Sequence, residues 1–229
     1  MHLLCAGAAK GVVEALATDF ERETGASLGA TFGAVGAMKE RLDAGTPCDV
    51  IVLTAVLIDA LAADGRVDAA AVRRLGEVPT GVAVRVGDAT PAIGDADALR
   101  ASFRNAPAIY FPDPERATAG IHFIGVLRRL GIHDEVAARL RPHPNGATAM
   151  RALAASGEPG AVGCTQVTEI RYTPGVTEVG ALPEGFELRT MYAAAPLCAS
   201  VEPAAARVLV EWLGGGRSHA LRIAGGFEI

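Results

Sequence analysis

The sequence predicts a two-lobed α/β protein in which two crossing strands form a hinge. Three observations lead there. Short apolar runs alternate with amphipathic helical patterns along all 229 residues, the mark of parallel α/β units. A chain of this length buries one large core or two small ones. Two stretches, Val78–Val86 and Leu188–Ala194, read as long strands that bracket the middle of the chain. Lobe one therefore takes residues 1–80 plus 190–229, and lobe two takes 81–189.

The elements follow in order. A strand ends near Ala6, and a helix runs from about Ala9 to Thr24, with Val12, Val13, Leu16, Ala17 and Phe20 on one face and Gly25 as its stop. Leu28–Phe32 is a second strand. Gly33-Ala34-Val35-Gly36 is a turn that opens a helix through Met38 and Leu42 to Gly45. Asp49–Leu53 reads as a buried central strand, and Thr54 precedes a helix that ends at Gly65. In the second half come a helix at Asp97–Arg104, a strand at Ala108–Phe111 and a loop to Ala119. Helices are predicted over Gly120–Leu130, Asp134–Leu140 and Ala147–Ala155, then a strand at Ala161–Cys164. Helices at Ala204–Leu213 and Ser218–Ala224 finish the chain.

Composition narrows the function. Half the residues are hydrophobic, much of that Ala and Val, and 5% are aromatic, so the core is expected to pack helix on sheet without large ring clusters. The net charge is −5 and no run of Lys or Arg reaches four, which argues against nucleic acid as a partner. No apolar stretch approaches the roughly 18–20 residues of a membrane helix, so no membrane insertion is expected. Cys5, Cys48, Cys164 and Cys198 lie far apart in apolar contexts and read as buried free thiols, neither metal ligands nor a disulfide framework. The nucleotide-binding, serine-hydrolase, zinc-protease and dinucleotide motifs are all absent, so no cofactor or metal is expected. A strand begins at once after Met1. A cytoplasmic protein is expected if Met1 is native, and a periplasmic one if a signal peptide has been removed.

Three segments resemble the molybdate-type solute-binding proteins of ABC transporters. They are Thr31–Ala37 followed by Leu42–Val50, then Leu61–Gly65, then Pro112–Gly120 with Leu127–Gly131. The resemblance runs over nearly the whole chain and implies a type II periplasmic-binding-protein fold with an anion held in the cleft between lobes. That family holds its oxyanion with backbone N–H groups and hydroxyls, and at the matching positions this chain has Ala8, Val35 and Gln166 in place of two serines and a tyrosine. Each missing hydroxyl costs about 1–3 kcal/mol if nothing replaces it, so an organic carboxylate is expected over molybdate. A second resemblance, carried by Gly81–Arg85, Gly163–Glu169 and Pro174–Pro183, is to the aconitate isomerase branch of the same fold. It implies a cofactor-independent isomerase that shifts a proton α to a carboxylate.

The candidate ligand-binding residues are Ala8, Lys10, Val35, Gly36, Thr54, Arg85, Thr118, Ala119, Gly120 and Gln166. Helix starts at Ala8, Val35 and Thr118–Gly120 offer N–H groups and the positive end of a dipole to an anion. Lys10 is either a further cation there or a solvated surface lysine. Arg85 either forks onto a carboxylate or faces outward. Thr118 serves equally well as a helix cap. For proton transfer the candidates are Glu169, His122 and Tyr192, each with a plainer reading as a cap, a structural histidine and a satisfied buried phenol. The expected partner is a small anion, with an ABC permease only if the protein is exported.

Overall fold

β1 (His2–Ala6) is apolar after its first residue and lies between two parallel neighbours, β2 (Gly29–Gly33) and β3 (Val50–Thr54). The connections are α1 (Lys10–Thr24), α2 (Val35–Asp43) and α3 (Ala55–Ala63). The Val-Ile-Val-Leu run of β3 is fully buried, as a strand covered on both faces must be. On α1 the buried residues are Val12, Val13, Leu16 and Phe20, and Gly25 closes the helix in the left-handed conformation (φ 72°).

The computed structural model describes residues 1–229, and the chain forms two units, Met1–Val78 with Thr190–Ile229, and Pro79–Arg189. In unit one β3 pairs antiparallel with β9 (Arg189–Pro196), which gives the order β2-β1-β3-β9. Two polar clamps secure this unit. The buried Asp49 carboxylate accepts from the His2 N–H (2.7 Å), the Ser200 hydroxyl (2.7 Å) and the Val201 N–H (3.0 Å). Behind α9 (Pro203–Gly214), the buried Arg222 of α10 (His219–Gly225) donates to the Ser218 hydroxyl and to the carbonyls of Leu75, Gly214 and Gly215.

β4 (Arg73–Arg85) carries the chain from unit one into unit two, and Pro79, which has no N–H to donate, marks the division. In unit two its later residues pair antiparallel with β7 (Val162–Gln166) and β8 (Val176–Ala181). β7 is parallel to β5 (Ile109–Pro112), and β5 to β6 (Leu140–His143). The two faces of this sheet carry different helices. Val82, Val84, Ile109, Phe111, Val162 and Cys164 share a core with α4 (Ala96–Asn105) and α5 (Thr118–Arg129). Ala83 and Ala108 face α7 (Gly146–Ala155), and a side-chain carbon on Gly163 would stand 2.9 Å from Leu153 of that helix.

Several expectations are corrected. The predicted helix 134–140 is only α6 (His133–Val136) and a 3-10 turn at Ala137–Arg139, followed by the strand β6. β6 is an edge strand, where Pro142 lacks an N–H without breaking a ladder on both sides. β8 was not expected, β4 begins at Arg73 rather than Val78, and α5 begins at Thr118 rather than Gly120. The rings of unit two form only a small group: Phe123 lies 5.2 Å from Phe103 and 5.1 Å from Phe111, centroid to centroid. Of the thiols Cys5 and Cys164 are buried, Cys48 is half-buried and Cys198 is exposed in the turn after β9. No helix is long and apolar enough to cross a membrane.

Candidate functional site

In unit one the parallel strands β1, β2 and β3 end together, and each leads into a helix. The residues at these helix starts are Ala9 for α1, Ala34 for α2 and Thr54 for α3, and none caps its helix with a side-chain hydrogen bond. α1 continues from a 3-10 turn at Gly7–Ala9, and its first N–H, that of Lys10, donates to the Gly7 carbonyl, whereas the Ala34 side chain has no acceptor to offer the first N–H groups of α2. Ala8, Val35, Gly36 and Thr54, all expected at the site, therefore lie at one end of the unit-one sheet. Tyr192 belongs there too: it stands directly opposite Thr54 in the β3–β9 ladder, its buried ring edge-on to Phe227 at 6.4 Å. Lys10 is differently employed. Its ammonium pairs with Glu14 one turn along α1 and lies 5.4 Å from the centre of the Phe32 ring.

In unit two the starts of α5 and α7, at the same end of the sheet, are treated in opposite ways. α7 is closed twice. Asn145 accepts from the Thr148 N–H (2.9 Å), and the buried Glu169 carboxylate accepts from the Gly146 and Ala147 N–H groups and from the Thr165 hydroxyl (2.6 Å). α5 is open. Its cap residue is Ala117, no side chain bonds to its first turn, and the expected Thr118, Ala119 and Gly120 form that turn. Gln166, at the end of β7, is buried on the same face of the sheet as α5.

The structure separates the remaining candidates. Glu169 is a helix cap for α7, and burial holds its carboxyl above the ordinary carboxylate range despite the Thr165 hydroxyl and the two N–H groups that pull it down. Arg85 is the last residue of β4, the strand that carries the chain into unit two. Its guanidinium forks onto Asp88 (Nε–Oδ2 3.0 Å, Nη2–Oδ1 2.9 Å) and donates to the Ser156 carbonyl (2.5 Å). The Arg85 side chain in turn holds the Asp88 carboxyl below the usual range. His122, in the second turn of α5, bonds through Nε2 to the Phe186 carbonyl (2.8 Å). A carbonyl can only accept, so Nε2 carries hydrogen and Nδ1 of the neutral ring keeps its lone pair.

Sequence reasoning missed Thr80 and Thr168, whose buried hydroxyls have no hydrogen-bond partner. No hydropathy signal marks them: Thr80 lies in a strand, where threonine is common, and Thr168 in the short helix Val167–Arg171. Only the pairing of Thr80 with Gln166 across β4 and β7 gives Thr80 a place beside the expected residues.

The family pattern described as bacterial extracellular solute-binding protein matches residues 1–228. The chain belongs to this family. This solute-binding protein is 29% identical over 219 residues to an aconitate isomerase from a Pseudomonas species, spanning 93% of this chain and 81% of that one. Its structure is similar to the periplasmic molybdate-binding protein of Azotobacter vinelandii, with a TM-score of 0.78, 19% identity, and 100% and 99% of the two chains covered. A sulfate-binding protein of Mycobacterium tuberculosis superposes with a TM-score of 0.74 at 17% identity, over 99% of this chain and 85% of the other. The fold of the solute-binding protein is thus the α/β periplasmic-binding-protein-like fold along the whole chain.

Proposed function

We propose that this solute-binding protein binds a small organic anion, a di- or tricarboxylate in preference to molybdate or sulfate. The observation that carries the reading is the contrast within unit two. The protein fills the start of α7 with its own carboxylate and leaves the start of α5 open beside Gln166. Open N–H groups at a helix start favour an anion without side-chain charge. Within unit one the helix starts at Ala8 and Val35 carry no hydroxyl, which disfavours a compact oxyanion there, since such an anion needs many short donors. We place the protein outside the cytoplasm with an ABC permease as its partner, on the strength of the family description.

A thermal-shift panel of molybdate, sulfate, phosphate, citrate and both aconitates tests the reading. A ligand present at 100 times its Kd adds about 2.7 kcal/mol of stability. Stabilisation by carboxylates alone supports it, and stabilisation by inorganic oxyanions alone refutes it.

A second reading, an isomerase acting on a tricarboxylate, is favoured by the relative named aconitate isomerase and by the state of His122. Of the three proton-transfer candidates, Glu169 is committed to α7, whereas His122 keeps a lone pair at Nδ1 and sits near the open start of α5. Conversion of cis- to trans-aconitate, followed by NMR with wild type and His122→Asn, tests it. Turnover lost in the variant supports the reading, and no turnover by wild type removes it.

A further inference from the structure

We propose that the Thr80 hydroxyl is a ligand donor at the start of α5, taking over part of the work of the side-chain hydroxyls that this chain lacks; the proposal rests on the anion-binding reading above. Thr80 is 1% exposed and its Oγ has no partner, although a buried hydroxyl without a hydrogen bond is costly. The backbone around it is fully engaged. Its N–H donates to the Leu188 carbonyl (2.8 Å) and its carbonyl accepts from the Leu182 N–H (3.0 Å). A β-branched side chain on a backbone held from both sides has little rotamer freedom, so the hydroxyl is positioned in advance.

Its direction follows from the sheet. Thr80 stands opposite Gln166, as Val82 stands opposite Cys164, and Val82 and Cys164 pack with Phe123, Val126 and Leu127 of α5. Side chains alternate along a strand, so Thr80 and Gln166 lie on the α5 face. The parallel register of β5 with β7 (Tyr110 with Gly163) brings the end of β5, from which the chain enters α5, level with the end of β7. An unmet hydroxyl, a buried amide and an uncapped twelve-residue helix therefore share one end and one face of the unit-two sheet. On the opposite face the equivalent hydroxyl, Thr165, already has a partner in Glu169.

The test uses the full chain and two measurements. Calorimetry with molybdate, sulfate, citrate, cis-aconitate and trans-aconitate identifies the tightest of the five, which then serves as the probe. Thr80→Val is expected to weaken it about 10- to 100-fold, the effect of one hydrogen bond to a charged group, and Thr80→Ser to recover most of that. Without any probe, Thr80→Val is expected to melt at or above the wild-type temperature, because no bond inside the fold is lost. Binding of the probe by Thr80→Val as tightly as by wild type overturns the proposal. So does a lower melting temperature of the probe-free variant, which would assign the hydroxyl a partner within the protein. If none of the five binds wild type, the anion reading fails separately. The probe-free melt still decides Thr80: a rise supports an unmet donor kept for a ligand, and a fall overturns it.

Discussion

Glu169 reaches the start of α7 because residue 146 is a glycine: a side-chain carbon there would fall on the Glu169 carboxylate and the Thr165 hydroxyl. The two residues are 23 positions apart in sequence and form one unit, a helix start whose acceptor is supplied from within. This distinguishes α7 from α5, whose cap residue Ala117 makes no side-chain hydrogen bond.

The first prediction concerns that contact. Gly146→Ala forces the buried carboxylate aside and is expected to destabilise the protein by about 1–3 kcal/mol, the usual result of overfilling a packed site. Urea denaturation at pH 7 measures it. Wild-type stability in the variant would show that Glu169 does not close α7.

A second prediction is a pH dependence. The folded-state pKa of Glu169 is raised above its ordinary value of 4.5, so the folded chain holds this proton more tightly than the unfolded chain. The stability it contributes is complete below pH 4.5 and is lost as pH rises through the raised value. Glu169→Gln has no such proton. The stability of wild type relative to Glu169→Gln is therefore expected to fall as pH rises from 4.5 towards neutrality, measured by denaturation at each pH. A difference that rises with pH contradicts the assignment.

Arg85 supplies the third. Its bonds to Asp88 and to the Ser156 carbonyl, with the Gly160 N–H also on Asp88 (3.2 Å), tie the end of β4 to the chain ahead of β7. Arg85→Ala is expected to lower the melting temperature and leave anion affinity unchanged. Lost affinity at an unchanged melting temperature would restore it to the binding site.

Much of this was legible in the sequence, and what was hidden has physical causes. The alternation of strands and helices, the buried face of α1 and the unbroken apolar run of β3 follow from local pattern, because each element buries one stripe or two faces. β6 was hidden because an edge strand tolerates arginine and proline at positions that argue against a central strand. The open helix starts at Ala34 and Thr118 were visible as turn and cap chemistry. Thr80 was not, because its meaning lies in the cross-strand pair with Gln166, 86 residues away. The Arg85–Asp88 pair was hidden for a related reason: the two residues meet only through the turn that ends β4.

The fourth prediction restores what unit one lacks. Ala8 and Val35 are buried at helix starts, and the resemblance to the molybdate-type family implies serines at these positions. Ala8→Ser with Val35→Ser adds two donors, and molybdate affinity is expected to increase relative to citrate. Competition calorimetry checks it, and an unchanged ratio would mean that these positions do not face the ligand.

The most direct test of the account is calorimetric titration of the wild-type protein with citrate, the aconitates, molybdate and sulfate under one buffer. The account predicts that at least one tricarboxylate binds more tightly than either inorganic oxyanion. Submicromolar binding of molybdate or sulfate with every carboxylate inert would contradict it.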